Sequence, residues 1–129
     1  MGHSRPVQGL HDLPMWEAMR HGEIRLQRCR HCNRLRYPPA PICPNCLGEH
    51  AEWDTLRPFG TIISWVVFHR QYFDDFPPPH RCVAVRLDEG PIIVTTLAHD
   101  TPPRQLTGCR VALHVGEHVG RCQHFARLV

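Results

Sequence analysis

The sequence predicts a mainly β protein in which a short N-terminal helix and a small cysteine-rich ribbon precede a five-stranded antiparallel barrel. Two observations predict these parts. Two Cys-x-x-Cys pairs, ten residues apart, lie in the first half of the chain. The second half consists of β-branched and alternating apolar segments separated by short turns. The predicted parts are an arm and short helix over residues 1–22, the ribbon over 23–57 and the barrel over 58–129.

The N-terminal helix is predicted to be short and amphipathic. Asp12 stands where a helix cap is expected, and Gly22 lies just past the end of the pattern. Met15, Trp16 and Met19 share one face at helical spacing. This face either packs on its own domain or binds a partner protein, because Trp and Met are common where one protein contacts another.

Eight strands are predicted, three in the ribbon and five in the barrel. They run over residues 24–28, 35–37 and 52–56, and then over 61–70, 81–87, 92–98, 109–115 and 121–129. The segment 81–87 alternates apolar and polar residues, which is typical of a half-buried strand. The Asp88-Glu89-Gly90 sequence that follows it predicts a hairpin turn.

The two cysteine pairs predict a metal site. Each Cys-x-x-Cys turn offers two thiolates, and a hairpin between the turns brings all four together as a tetrahedral S₄ site. The predicted ligands are Cys29, Cys32, Cys43 and Cys46. A closed site of this kind is structural, because it leaves no open position for an activated water. We predict Zn²⁺ rather than iron, since Asn33 and Leu47 stand where rubredoxin-type iron turns carry glycine.

The remaining composition excludes several chemistries. All 15 basic residues are arginine, which excludes lysine Schiff-base chemistry, and the formal net charge is only +3. The sequence contains no phosphate-binding glycine loop and no recognised nucleophile motif. Cys82, Cys109 and Cys122 are predicted as core thiols, and a thiol enzyme that uses Cys82 with His80 is the minor alternative. A self-sufficient enzyme is therefore not expected.

Five arginines crowd a stretch of twelve residues that contains no acidic residue. They are Arg25, Arg28, Arg30, Arg34 and Arg36. The cluster forms either a solvated face of the ribbon or a binding site for an anion or an acidic partner. A second basic pair, His69 and Arg70, ends the first long strand and is a candidate contact for an anionic ligand at the barrel mouth.

The loop over residues 71–80 combines three aromatic residues with three consecutive prolines. Tyr72, Phe73 and Phe76 give this loop more ring surface than an exposed loop needs. The loop is predicted either as a lid packed over the barrel end or as a wall for an apolar ligand tail or a partner's groove.

Taken together, these features resemble the family of acyl-CoA-associated proteins that join a rubredoxin-like zinc ribbon to an OB-fold barrel. The resemblance is carried by the order of the helix, Cys-x-x-Cys, Pro-Pro and Cys-Pro-x-Cys, then by Phe59–Ser64, His69-Arg70 and Leu87–Pro91. It covers about residues 14–129. Two positions depart from the family pattern. Asn33 replaces the usual glycine after the first cysteine pair, and Ala40 stands where Pro-Pro-Arg is common.

Members of this family work beside thiolase-superfamily enzymes, and some are fused to or paired with MaoC-like hydratases. The resemblance implies a non-catalytic accessory subunit that docks on a thiolase-like, hydratase or aldolase enzyme and binds or channels acyl-CoA. Coenzyme A carries phosphates that guanidiniums bind, and an acyl-pantetheine arm that needs an apolar wall. The expected acyl-CoA contacts are Arg34, Arg36, His69, Arg70, Tyr72, Phe73 and Phe76, and the expected partner contacts are Met15, Trp16 and Met19.

The rival function is a single-stranded nucleic-acid-binding protein, because OB barrels and zinc ribbons serve there as well. That function needs aromatic and basic residues interleaved on the barrel face, whereas Trp65 and Phe68 lie in an arginine-poor strand. Nucleic acid is therefore not the expected partner, while self-association is left open. The sequence has no apolar run of membrane-spanning length and no signal-peptide pattern, so we expect a cytoplasmic protein without membrane contact.

Overall fold

The structure is a computed structural model that describes residues 9–118 and 121–129. Its elements are α1 (Leu13–Arg20), β1 (Arg25–Cys29), β2 (Leu35–Arg36), β3 (Ala51–Thr55), β4 (Phe59–Phe68), β5 (His80–Leu87), β6 (Ile92–Leu97), β7 (Arg110–His118) and β8 (Arg121–Leu128). Each predicted strand is present, with ends that differ by at most three residues. Most of the predicted N-terminal arm, residues 1–8, lies outside the described residues. The unit boundaries at residues 22 and 57 stay predictions.

Helix α1 begins after Asp12, whose backbone oxygen accepts hydrogen bonds from the next turn. Contrary to the expected cap, the Asp12 side chain makes no capping hydrogen bond. The helix ends before Gly22, which has a φ of 76° and lets the chain turn away. No helix among residues 9–118 and 121–129 is long and apolar enough to cross a membrane.

The apolar face of α1 packs on its own protein. Met15 is 7% exposed and Met19 is 1% exposed, and both belong to the main hydrophobic core. The prediction that Met15 and Met19 bind a partner is therefore wrong, because a side chain already enclosed in the core has no surface left to offer. Trp16 is half-buried and packs against the same core. Its indole contributes to a crevice between α1 and the barrel.

The ribbon is a three-stranded antiparallel sheet in the order β2-β1-β3. Strand β1 lies in the middle, so its ends set the position of the metal ligands. Cys29, the last residue of β1, pairs with Ala51 at the start of β3. Leu26 of the same strand is fully buried and connects the ribbon to the shared core. The first cysteine pair therefore lies at the end of β1, and the buried Leu26 side chain holds this strand in place.

The barrel is closed in the order β4-β5-β6-β8-β7, and β7 returns to pair with β4. All neighbouring pairs are antiparallel except β6 and β8, which run parallel at Thr96 with Phe125 and at Leu97 with Ala126. The predicted all-antiparallel barrel is therefore corrected to a mixed one. The physical reason is geometric: a closed ring with an odd number of strands must contain at least one parallel pair.

Outward and inward positions alternate along the barrel strands, and this alternation sets the surfaces discussed below. Val83, Val85 and Leu87 of β5 point into the core and are at most 2% exposed. The intervening positions of β5 point outward, and so do Val66 and Phe68 of β4. The outer face of strands β4 to β6 is therefore a separate, partly apolar surface.

Candidate metal centre and ligand-binding groove

The four predicted cysteine ligands converge on one point. Their Sγ atoms all lie within 4.8 Å of one another, with Cys29 and Cys46 3.5 Å apart and Cys32 and Cys43 3.6 Å apart. Cys29 and Cys43 are buried, whereas Cys46 lies at the surface. Four sulfur donors with no fifth donor at hand fit a tetrahedral, closed zinc site. Among the described residues no other group of three or more potential ligands converges in this way.

The two cysteine turns share one backbone pattern. The Cys29 amide donates to the backbone oxygen of Arg34 at 2.8 Å. The Cys43 amide donates to the backbone oxygen of Gly48 at 2.9 Å, which is the same offset along the chain. Each turn thus folds back on its first cysteine, and the two turns form similar halves of one site.

Both turns end in a left-handed residue. Asn33 has a φ of 66° and Leu47 a φ of 64°, at the positions where glycine was expected from rubredoxin-type turns. Asn adopts this conformation more readily than other non-glycine residues, whereas a leucine there costs about 1–2 kcal/mol. The turn conformation is thus kept without glycine.

The protein environment shifts the pKa values of Cys29, Cys43 and Cys46, and not all in the same direction. Backbone hydrogen bonding from Cys32, opposed by burial and supported by the His31 amide, lowers the pKa of the Cys29 thiol to about 5. The pKa of Cys43 is also lowered, mainly by the backbone at Cys46. The Gly48 amide favours the Cys46 thiolate, but burial and the neighbouring sulfurs raise the pKa of Cys46 to about 11. A divalent cation is what stabilises four thiolates at this spacing, since the thiolates otherwise repel one another.

Arg36 has a structural position that the sequence did not reveal. The residue is only 1% exposed. Its guanidinium donates to the backbone oxygens of Ala40 at 3.0 Å and Gly48 at 3.1 Å. The prediction that Arg36 contacts a ligand phosphate is therefore wrong, because the group is enclosed and already bonded. Arg36 instead links the Pro-Pro segment to the second cysteine turn.

The other ribbon arginines are largely neutralised by the neighbouring strand. Arg28 pairs with Asp54 at 2.5 Å, and Arg30 pairs with Glu52. Arg25 donates to the backbone oxygen of Trp53. Arg34 is the exposed member of the cluster that makes no side-chain hydrogen bond or ion pair with the described part of the chain.

The aromatic loop between β4 and β5 encloses a small apolar pocket of about 230 Å³. Its lining residues are Phe68, Arg70, Tyr72, Phe73, Phe76 and His80. The His80 ring is stacked between Phe76, at 4.5 Å between ring centres, and Phe68, at 5.8 Å. The Arg70 guanidinium lies over the Tyr72 ring, 5.6 Å from its centre. A cation at the rim of a ring-lined pocket suits a ligand with an apolar arm and an anionic group.

The pocket contains four of the residues predicted from the sequence and two that were missed. Arg70, Tyr72, Phe73 and Phe76 come together, whereas His69 is exposed and lies outside the lining. Phe68 was missed as a ligand contact because it lies inside the predicted strand 61–70, and His80 was considered only as a partner of Cys82. The signal that identifies them is the register, since Phe68 pairs with His80 across β4 and β5 on the outer face.

A second crevice, of about 280 Å³, lies where α1 and the ribbon meet the outer face of the barrel. Its lining residues are Trp16, Met19, Tyr37, Cys82, Val94, Thr95, Thr96, Gln123 and His124. The Sγ atom of Cys82 lies 3.7 Å from Nε2 of His80, which is the pair that the minor alternative required. Burial, however, raises the pKa of Cys82, so the thiol is stabilised over the nucleophilic thiolate.

The fold and the metal centre define a class: a zinc-ribbon protein with a C-terminal OB-fold barrel. Family models agree with both halves. Residues 16–51 match the rubredoxin-like zinc ribbon domain of ChsH2, and residues 53–119 match the C-terminal OB-fold domain of ChsH2. The chain therefore belongs to the ChsH2 family of zinc-ribbon and OB-fold proteins, and its cofactor is a structural zinc ion.

Three known proteins are similar to this chain. A "Probable enoyl-CoA hydratase alpha subunit" of Thermomonospora curvata is 34% identical over 111 residues, which cover 84% of this chain and 34% of that protein. A "DUF35 domain-containing scaffold protein" of Pyrococcus furiosus is 26% identical over 84 residues, 61% of this chain and 59% of that protein. The chain thus spans about a third and about three-fifths of these two relatives. The solved structure of an "Ltp2-ChsH2(DUF35) aldolase" superimposes with a TM-score of 0.86 and 28% identity, covering 96% of this chain and 98% of that one.

Proposed function

We propose that this protein is a non-catalytic accessory subunit that docks on an enzyme of CoA-thioester metabolism and helps to hold its acyl-CoA. Its relatives include a scaffold protein, a hydratase alpha subunit and an aldolase complex. Apart from the metal ligands, the described residues offer no activated nucleophile, since the Cys82 thiol, which lies beside His80, has a raised pKa. Its zinc site is closed and structural.

The observation that carries the acyl-CoA part is the aromatic pocket with Arg70 at its rim. The pocket presents apolar ring surface to an acyl-pantetheine arm, and Arg70 presents a permanent cation to the phosphates. Tyr72 and Phe73 are 56% and 45% exposed, so both rings are accessible to a ligand. Arg34 and His69 stay predicted contacts, whereas Arg36 is removed from the set.

The proposed partner is a thiolase-superfamily enzyme. A MaoC-like hydratase or an aldolase is the alternative partner. Each of them forms or consumes a CoA thioester, so each needs the ligand that the aromatic pocket would hold. We propose that this complex is cytoplasmic. Affinity capture of the full chain from its own cells, followed by mass spectrometry, should recover such an enzyme as the main stoichiometric partner.

The ligand is tested by calorimetry of octanoyl-CoA binding to the zinc-loaded chain, alone and in complex with the captured partner. Removing a charge-assisted contact costs about 1.5–3 kcal/mol, so Arg70→Ala should weaken binding about tenfold to 100-fold. Arg57→Ala is the matched control, because Arg57 is exposed and lies at the opposite end of β4. Equal affinity of both variants would contradict the assignment. Tight binding of single-stranded DNA without acyl-CoA binding would replace the proposal with the rival function.

A further inference from the structure

We propose that the crevice between α1 and the barrel receives the acyl end of the bound thioester and selects for its length. The inference rests on the proposed function, because it concerns the same acyl-CoA ligand. The inference goes beyond the proposed function in two respects. It assigns a second cavity, on the far side of His80, and it gives α1 a role in ligand specificity. Trp16 and Met19 of α1 and Tyr37 of the ribbon line this crevice together with Val94 and Thr96 of β6.

The crevice and the aromatic pocket are neighbours on the same outer face. Phe68 pairs with His80, and two residues further along the strands Cys82 pairs with Thr96. Successive outward rows on a strand lie about 7 Å apart, so the two cavities are adjacent. Their polar border is a direct contact, since Nε2 of His80 lies 3.2 Å from Oγ1 of Thr96. A chain that leaves the aromatic pocket past His80 enters the crevice at Thr96.

The order of chemical groups along this path matches the order of groups in an acyl-CoA. A cation, Arg70, comes first and suits phosphate. The rings of Phe68 and Phe76 follow and suit the pantetheine arm. The Thr96 hydroxyl comes next; where Nε2–H of His80 donates to Oγ1 of Thr96, the hydroxyl proton can be donated to the thioester carbonyl. The apolar side chains of Trp16 and Val94 come last and suit an alkyl chain.

The size of the crevice limits the length of that chain. The crevice of about 280 Å³ is small beside ligand pockets of about 300–1,000 Å³, so it suits a short or medium acyl group. Met19 closes the inner side, because it is only 1% exposed and belongs to the core. Short and medium acyl groups therefore fit inside, whereas the end of a longer chain remains in solvent and adds no burial.

The test is a chain-length series measured by calorimetry with the zinc-loaded full chain, alone and with its captured partner. The probes are butanoyl-, octanoyl-, dodecanoyl- and hexadecanoyl-CoA. A fully buried methylene strengthens binding about fourfold, so affinity should rise at least tenfold from butanoyl to octanoyl. It should then level off between dodecanoyl and hexadecanoyl. Equal affinity for butanoyl- and octanoyl-CoA would overturn the crevice assignment and leave the proposed function intact, whereas absence of all acyl-CoA binding would overturn both.

A variant that fills the crevice gives an independent test. Val94 is 61% exposed, so Val94→Trp adds a ring to the crevice wall without entering the core. This variant should lose the gain from butanoyl to octanoyl and keep its affinity for butanoyl-CoA within about threefold. Ile92→Trp is the matched control, because Ile92 is the preceding outward residue of β6, is 43% exposed and does not line the crevice. If Val94→Trp abolishes capture of the partner but leaves octanoyl-CoA affinity unchanged, the crevice is a socket for the partner and the inference is wrong.

Discussion

The ribbon and the barrel of this protein are stabilised by different means. The largest fully buried side chain of the ribbon is a charged one, Arg36, and two further buried positions are the metal ligands Cys29 and Cys43. In the barrel the fully buried positions are apolar, as Val83 of β5 and Ile93 of β6 illustrate. The ribbon therefore depends on coordination and hydrogen bonds in addition to the apolar residues Ile24, Leu26 and Leu56 that it adds to the common core, whereas the barrel depends mainly on apolar burial. We therefore expect a given change, such as loss of zinc, to affect the ribbon and the barrel differently.

The largest expected effect is the loss of zinc. Structural zinc sites of this kind contribute on the order of 10 kcal/mol, so Cys43→Ser should unfold the ribbon. Amide hydrogen exchange should become fast over residues 23–57 and stay slow in β5, β6 and β7, because most residues of the shared apolar core belong to the barrel. Cys109→Ser is the matched control, since this half-buried thiol lies outside the metal site. A folded, reduced protein without bound metal would contradict the prediction, and a red, iron-rich protein would replace zinc with iron.

A smaller effect is expected when the ribbon keeps its zinc but loses its buried guanidinium. Arg36→Met removes the guanidinium donor to the backbone oxygen of Ala40 and one of two donors to that of Gly48, which keeps the Cys43 amide. The change should lower the free energy of unfolding by about 1–3 kcal/mol. Arg34→Met, two residues away but exposed, should change it by less than about 0.5 kcal/mol. Denaturant unfolding of both variants measures the difference. Equal losses would show that the two arginines play the same part.

The smallest effect concerns the barrel and pH. Burial lowers the pKa of His124 below its ordinary value of about 6.5, and Nδ1 of its ring lies 2.7 Å from Oγ1 of Thr95. Below that value the unfolded chain binds a proton that the folded one resists, so the free energy of unfolding falls as the pH drops through about 6.5. The contribution cannot exceed about 1.4 kcal/mol per pH unit.

His124→Gln should reduce this pH dependence, and His114→Gln should not, because His114 is an exposed histidine of β7. The measurement is the free energy of unfolding at about pH 7.5 and about pH 5.5 for both variants and the unmodified chain. The prediction concerns the difference between the two variants, so any loss of zinc at the lower pH cancels. Identical slopes in the two variants would show that His124 is protonated in the folded barrel.

The sequence alone was sufficient to predict the features that depend on residues close together in the chain. The spacing of Cys29, Cys32, Cys43 and Cys46 defined the metal site, because two tight turns can place four sulfurs together in only a few ways. Alternation along 81–87 located β5 and its buried side, since strand geometry has a period of two. The apolar face of α1 was also found correctly. Whether its own domain or a partner covers this face was left open, because periodicity identifies a buried face but not the surface that buries it.

The features that were missed depend on residues distant in sequence. Arg28 and Arg30 seemed free because no acid lies among their neighbours, yet Asp54 and Glu52 face them from β3. The carbonyl groups that bind Arg36 belong to two other segments, so its burial left no local trace. The parallel pair of the barrel, by contrast, followed from the predicted count of five strands and was overlooked.

The parallel pair also has a consequence for the way the barrel assembles. Strands β4 and β5, and strands β7 and β8, are sequence neighbours that pair along nearly their whole length, whereas the paired positions of β6 and β8 are Thr96 with Phe125 and Leu97 with Ala126. Local hairpins form before contacts that require a long loop to close, so this seam is expected to be the last step of folding and the first place to open. Thr96 is both a residue of the seam and part of the crevice wall. A ligand bound against Thr96 would thus stabilise the barrel at the strand pair that is expected to open first. Binding would then be coupled to completion of the fold.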